Sequence, residues 1–383
     1  MSAPEQRLTI GYLSADFHRH PTAYLSAGLF EAHDRSRFRI LAYANGPDDG
    51  SAMRQRLVKA FDEFIDLKGM SPSEAAARMR ADGVDLLVDL KGHTLDAAPE
   101  ILALRPAPVQ IHYLGYPGTL GAPWIDYLIG DAWVTPPEHA DSYQETLVRL
   151  PDSYQINDRQ RPLPAASGSR EDHGLPRDGI VLCCFNNAWK FNQDTLDCWL
   201  HILRAAPETV LWLLGREGSH LAAKSLRSYV QAAGIAPERL IFSKSRPLEA
   251  YLALYHHADL FLDSWPYNAH TTASDALWMG CPVLSWPGTT FASRVGASLL
   301  AACEMPELIC RDRAHYRERA LDLIAAPEQL RQYREQLIQS RGQLPLFDTQ
   351  ATTRALEAAY EEMARQYRAG RRDAFDVPPA RAR

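Results

Sequence analysis

The sequence predicts an α/β protein made of two doubly wound units with parallel sheets. Three observations carry that expectation. Short β-branched and aromatic runs alternate with stretches of helical apolar spacing, a polar proline-bearing stretch interrupts the alternation near the middle, and turn or helix-start residues follow the apolar runs. In the first half the strand-like runs are residues 9–14, 38–43, 85–90, 109–114 and 127–129, with helical spacing starting at Thr22, Ser51 and Ser71. In the second half the runs are residues 180–185, 210–214, 240–243, 260–263 and 282–285, with helical spacing from Asp194, Ser219, Pro247, Thr272, Phe291 and Ala314. The expected organisation is a first domain over residues 1–150, a linker rich in Pro, Ser, Asp and Arg over 151–179, and a second domain over 180–348. A C-terminal helix over 349–369 and a disordered tail over 370–383 complete it, with no repeat of solenoid period.

Composition narrows the function classes. Of 383 residues, 46% are hydrophobic and 23% charged, with a net charge of -6, which gives core enough for two domains and no general attraction for nucleic acid or anionic membrane. No signal peptide and no apolar run of about eighteen residues is seen, so the expected location is the cytoplasm. The six cysteines show neither a CxxC pair nor histidines at zinc spacing, and read as reduced core residues.

Open parallel sheets bind ligands at the carboxyl ends of their strands, and the informative loops follow such ends. After the first strand, Pro21 and Thr22 suit a helix start and leave His20 just outside it, where an imidazole can accept a hydroxyl proton at neutral pH. A histidine beside a helix cap is the plainer alternative. After the third strand come Gly92, His93 and Thr94. After the fourth, Gly115, Gly118 and Gly121, with Pro117 and Thr119 among them, let backbone amides approach a sugar or phosphate, although a plain turn explains them equally well. In the second half Asn186, Asn187 and Lys190 leave a strand, and Lys190 can neutralise a diphosphate. The segment NAHTTASDALWMG, residues 268–280, opens a helix just after a strand. Its free amides, the positive end of its dipole, His270, Thr271 and Thr272 suit a phosphate, while Thr272 and Asp275 also match a capping box. Neither GxGxxG after the first strand nor GxxxxGK[ST] is present.

Five stretches occur together in one order: residues 10–17 with His20, Pro21 and Thr22; 104–110 continuing to 114–119 (LGYPGT); 184–190 (CFNNAWK); 268–280; and 287–295 (PGTTFASRV). In these the chain resembles the catalytic region of protein O-GlcNAc transferases and their bacterial homologues, over almost its whole length. The resemblance implies the GT-B architecture of two Rossmann-like domains facing a cleft, the first on the acceptor side and the second binding the nucleotide sugar. It implies inverting transfer, without cofactor or metal, from UDP-GlcNAc to Ser or Thr hydroxyls of a protein or peptide. On the matching positions, His20 becomes the histidine acting near the acceptor and Lys190 the lysine on the donor diphosphate. Asn187 becomes a neighbouring amide, His270, Thr271 and Thr272 the sugar- and phosphate-contacting trio, and Asp275 the ribose-binding carboxylate. Pro117, Gly118 and Thr119 belong to the sugar and acceptor loop.

The chain also departs from that pattern. Animal members carry a tetratricopeptide array and an intervening domain that this sequence does not show. Where they use a lysine and a histidine around ribose and uracil, this chain has Leu248 and Tyr251, and Tyr251 can stack on a base. A second histidine discussed in the family falls near Arg80 and Ala81, leaving His93 as a substitute, and Tyr267 stands where animal enzymes have a small residue beside the N-acetyl group. Related plant proteins use GDP-fucose. Another nucleotide sugar, a non-protein acceptor, or a silent partner-binding homologue are therefore the alternatives.

Overall fold

Leu8–Ser14 (β1) is buried at every position, as expected of a strand covered on both faces of a parallel sheet. The computed structural model describes residues 1, 6–215 and 220–379, and the chain divides into two compact units, Met1–Arg161 with Pro345–Arg383, and Pro162–Leu344. In the first unit β1 is followed by α1 (Pro21–Ala32), β2 (Phe38–Ala44), α2 (Ala52–Ala60), β3 (Glu63–Asp66), α3 (Pro72–Ala81) and β4 (Leu86–Asp89). Then come α4 (Pro99–Ala103), β5 (Val109–His112), β6 (Tyr127–Asp131) and β7 (Thr146–Leu150). Ser51 caps α2, and Ser71 with Glu74 forms a full capping box on α3, so these helices begin where their sequence signals lie.

The second unit repeats the plan with β8 (Val181–Cys184), α5 (Gln193–Ala205), β9 (Val210–Leu214), α6 (His220–Ala232), β10 (Leu240–Ser243), α7 (Leu248–Ala253) and β11 (Leu260–Leu262). It continues through α8 (Thr271–Trp278), β12 (Val283–Leu284), α9 (Val295–Ala302), α10 (Arg313–Ala325) and α11 (Pro327–Ser340). The helix start expected at Ser219 lies outside the described residues. The start expected at Phe291 is a single 3-10 turn, Phe291–Ser293, closed by reciprocal bonds between Thr290 and Ser293, and the α-helix begins only at Val295.

The chain then returns to the first unit. α12 (Thr349–Arg368) packs on α1, and β13 (Phe375–Asp376) pairs parallel with β7. The two sheets run β13-β7-β6-β5-β4-β1-β2-β3 and β10-β9-β8-β11-β12, with every pairing parallel. The tail expected to be disordered is thus ordered to residue 379: besides β13, Arg372 bonds to Asp126 and Arg149 to Asp376. The first part of the expected linker belongs to the core of the first unit, where Tyr154 and Ile156 are buried and the Tyr113 hydroxyl donates to the Tyr154 carbonyl at 2.8 Å.

A buried polar chain fastens α12 to β1 and α1. The Tyr12 hydroxyl lies 2.8 Å from His33 Nε2 and 3.1 Å from the Tyr360 hydroxyl, while His33 Nδ1 is 3.1 Å from Glu357, which also accepts from the Asp34 amide at 2.8 Å. All six cysteines are buried and free. Among the described residues no helix is long and apolar enough to cross a membrane.

Candidate functional site

In each sheet the strand order reverses once, between β1 and β4 and between β8 and β11. At such a switch point the loops leave adjacent strands in opposite directions and open a crevice outside the carboxyl ends. Of the sequence-predicted site residues, His20 and His93 follow the strands at the first of these places and Asn187, Lys190, His270, Thr271 and Thr272 those at the second, while Pro117, Gly118 and Thr119 lie one strand further on, after β5.

In the second unit the loops after β8 and β11 are sewn together. Asn186, buried just past β8, donates from Nδ2 to the Ser264 hydroxyl at 2.8 Å and accepts from the Thr272 hydroxyl. Asp263, fully buried just past β11, accepts from the Ser264 amide at 2.8 Å, the Ala269 amide at 2.6 Å and the Ser285 hydroxyl at 2.6 Å, which sets the course of residues 263–270. Gly296 is required behind it, since a Cβ there would stand 2.5 Å from Asp263. Lys190 closes the arrangement, donating to the Asn268 carbonyl at 2.8 Å with its ammonium 4.1 Å from the Tyr267 ring centroid. It is half-buried and tied down, unlike a solvated surface lysine.

The electrostatics follow from that burial. Desolvation pushes the Asp263 carboxyl up and the Lys190 ammonium down, and each group's charge opposes the other's shift. Desolvation, aided by the Lys190 charge, holds His270 well below the usual histidine range, so its ring is neutral and donates from Nε2 to the Ala292 carbonyl at 3.3 Å. The ring stacks on Tyr267 with centroids 4.9 Å apart.

The start of α8 differs from the capping box that Thr272 and Asp275 suggested. Its N-cap is His270, with no side-chain cap bond, and the Thr272 hydroxyl is drawn away to Asn186. The first-turn amides therefore keep no side-chain partner from the cap, and Thr271 and Thr272 sit beside them. Asp275 is buried and faces Tyr251, whose phenol is pushed well up by burial and then by that carboxylate. Tyr251 also shares a 2.7 Å hydroxyl contact with Tyr255. Asn187 lies half-buried at the start of the 3-10 turn Ala188–Lys190.

In the first unit His20 is the N-cap of α1, with Nδ1 3.2 Å from the Thr22 amide and 3.2 Å from Asp16 Oδ2. Desolvation lowers its pKa from the ordinary histidine value; Asp16 opposes this, and Lys91 and His18 add to it. Lys91, just past β4, holds both oxygens of Asp16 at 2.8 Å. His93 is exposed and spends Nε2 on the Leu120 carbonyl at 3.0 Å, joining the loop after β4 to the one after β5. Thr119 donates its hydroxyl to Glu145 at 2.6 Å. Gly115 serves a close backbone approach, since a Cβ there would lie 1.9 Å from the Leu90 carbonyl oxygen. Gly118, next to Pro117, meets only the Tyr116 ring within 4 Å. Gly115 is thus required by its contact with the loop after β4 and Gly121, at φ +60°, by the turn it makes, while Gly118 is required by neither.

Sequence reasoning passed over Asn186 as a partner of Thr272, and missed Asp263, Asn268, Asp16, Lys91 and Glu145 in these roles. Only Asp263 and Lys91 carried a signal, a charged residue ending an apolar run. Among the described residues no group of three or more His, Cys, Asp or Glu could hold a metal ion.

Comparison with known proteins bears on the family and the fold. Residues 1–167 and 164–356 match glycosyl transferase family 41. The chain is 35% identical over 364 residues to a probable UDP-N-acetylglucosamine–peptide N-acetylglucosaminyltransferase, SEC, of Arabidopsis thaliana, covering 94% of this chain and 37% of that protein. It is 31% identical over 387 residues to the Petunia hybrida protein SPINDLY, covering 99% of this chain and 40% of that one. The chain thus spans about two fifths of the length of these curated relatives. Among solved structures, an O-GlcNAc transferase of Thermobaculum terrenum superposes with a TM-score of 0.89 at 33% identity, over 96% of this chain and 69% of that one. A sucrose-phosphate synthase of Thermosynechococcus elongatus, at 14% identity and a TM-score of 0.58 over 93% of this chain and 99% of its own, shares the fold alone. The architecture is the GT-B class of glycosyltransferases, and with the family match over nearly the whole sequence the chain belongs to glycosyl transferase family 41.

Proposed function

We propose that this chain transfers GlcNAc from UDP-GlcNAc to serine or threonine hydroxyls of a protein or peptide, with inversion and without a metal ion. The observation that carries the reading is the cationic Lys190 fixed beside the uncapped start of α8, at the switch point of the second sheet. In the reaction the acceptor oxygen bonds to the anomeric carbon as the bond from that carbon to the diphosphate oxygen breaks. The hydroxyl proton passes to His20, and UDP leaves with the bonding electrons. Lys190, the first-turn amides of α8 and the hydroxyl of Thr271 stabilise the charge that grows on the diphosphate, while Thr272, bonded to Asn186, fixes where those amides stand. Asp275 and Tyr251 suit the nucleoside, one by accepting from ribose hydroxyls and the other by its aromatic face. The names of the relatives, which include UDP-N-acetylglucosamine and a peptide, support the choice of donor and acceptor.

Intact-mass analysis of an acceptor protein incubated separately with UDP-GlcNAc, UDP-glucose and GDP-fucose tests the donor. Addition of one N-acetylhexosamine from UDP-GlcNAc, undiminished in excess EDTA, is expected. Transfer only from GDP-fucose would overturn the donor, and activity abolished by EDTA and restored by magnesium or manganese would overturn the metal-independent mechanism.

A further inference from the structure

The contacts of His20 cannot all be hydrogen bonds at once. In a neutral imidazole Nδ1 either accepts, here from the Thr22 amide, or donates, here to Asp16 Oδ2, and the two partners stand at the same 3.2 Å. In the first tautomer Nε2 carries the proton and cannot take another. In the second Nε2 is an open lone pair. What decides between them is the state of Asp16, and Asp16 is almost wholly engaged by one residue.

Lys91 is 5% exposed and Asp16 6%. Lysines are rarely buried unless paired, and this one is aimed by the turn that carries it: Asp89, the last residue of β4, accepts from the amides of Lys91 at 3.0 Å and Gly92 at 2.8 Å, and the Thr94 hydroxyl donates to the Lys91 carbonyl at 2.8 Å. The Asp16 amide is held in turn by the Ser14 hydroxyl at 3.0 Å. The charged and titratable groups facing His20 are thus Asp16 and His18 from its own loop and Lys91 from the loop after β4, while α1 contributes only Thr22.

We propose that Lys91, acting through Asp16, holds the His20 ring neutral with Nε2 open, and is a positioning residue for the acceptor-side base. The proposal rests on the reading of His20 given above. Without Lys91, the Asp16 carboxylate would be uncompensated beside the ring and would trap it as imidazolium, which cannot accept a proton. Without Asp16, nothing would draw the proton onto Nδ1, and the ring would settle as a helix cap. The two residues together give a carboxylate strong enough to orient the ring and too weak to charge it.

The test is an NMR titration of the His20 ring in the full chain labelled at histidine, without substrate, beside pH profiles of kcat/KM. In Lys91→Met the midpoint should rise by about one unit, and the acid limb of the profile should move up by the same amount. Lys91→Arg should bring both back towards wild type. Asp16→Asn should move the midpoint down, which no general loosening of the loop would do together with the rise in Lys91→Met. An unchanged midpoint in folded Lys91→Met, or a shift of the same sign in Asp16→Asn, overturns the proposal. A shifted midpoint with an unmoved acid limb would show that His20 is not the base, and the positioning role would fall with that reading while the Lys91–Asp16 contact stood.

Discussion

Lys190 combines a charge with a fixed address. Because its ammonium is bonded to the Asn268 carbonyl and partly desolvated, little reorganisation is needed when a diphosphate develops charge in front of it. Lys190→Ala should lower turnover by about 100- to 1000-fold, or roughly 3 to 4 kcal/mol of barrier, with an unchanged circular dichroism spectrum. Wild-type turnover in the folded variant would remove the residue from the chemistry. Since burial lowers the ammonium's pKa, UDP affinity should also fall as pH rises through a range below that of an ordinary lysine. His20 sits in the other compact unit from Lys190. His20→Ala should cut transfer by about 100- to 10,000-fold while leaving calorimetric UDP affinity nearly unaltered, and a large loss of UDP affinity would instead make it a donor ligand. Both side chains were visible in the sequence, because each stands a few residues beyond an apolar run. Asn186 and Asp263, which orient the loops around Lys190, were hidden in these roles because their partners lie 78 and 22 residues away and no local pattern marks such pairs.

At the scale of the element, the start of α8 is held by a neighbour instead of by its own cap. The Thr272 hydroxyl is bonded to Asn186, so the loop after β8 fixes where the helix begins. Saturating UDP at about 100 times its Kd should stabilise the folded protein by about 2.7 kcal/mol, seen as a rise in melting temperature. That rise should shrink in Thr272→Val and in Asp275→Ala, and an undiminished shift in both would send the nucleotide elsewhere. The strands that were legible are the buried ones with uninterrupted apolar runs, such as β8 and β11. β3, with an exposed charge at each end, and β7, broken by Arg149, lie towards the margins of the first sheet and lack that run. β13 has two residues and takes its place by pairing with β7, which no sequence period encodes.

For the molecule as a whole, the first unit depends on contacts between its two distant stretches of chain. Burial alone would raise the pKa of Glu357, but hydrogen bonds from His33, the Asp34 amide and Arg354 outweigh it and leave it lowered, and burial lowers His33. Both shifts have the same sign for stability. The unfolded chain binds more protons than the folded one once pH falls below about 6.5, where free histidine titrates, and again below the ordinary carboxylate range. The first unit should therefore lose stability on acidification, beginning at mildly acid pH. Glu357→Gln should cost about 3 kcal/mol in denaturant unfolding at pH 7, because it leaves His33 and Arg354 poorly partnered. A change below about 0.5 kcal/mol would mean the network contributes nothing measurable.

The excursion of the chain through the second unit before α12 and β13 return has a consequence for biosynthesis. A growing polypeptide leaves the ribosome from its N-terminus, and domains ordinarily close in that order. Here residues 1–161 emerge without the helix that covers β1 and α1, whereas residues 162–344 are contiguous and carry a complete sheet. The later-made unit should close first, and the earlier-made one must wait, its β1 and α1 uncovered, for a helix translated after residue 344. Nascent chains arrested with residue 344 outside the exit tunnel should resist protease across residues 162–344 and be cut within 1–161, and equal protection of both would show that the first unit closes without waiting.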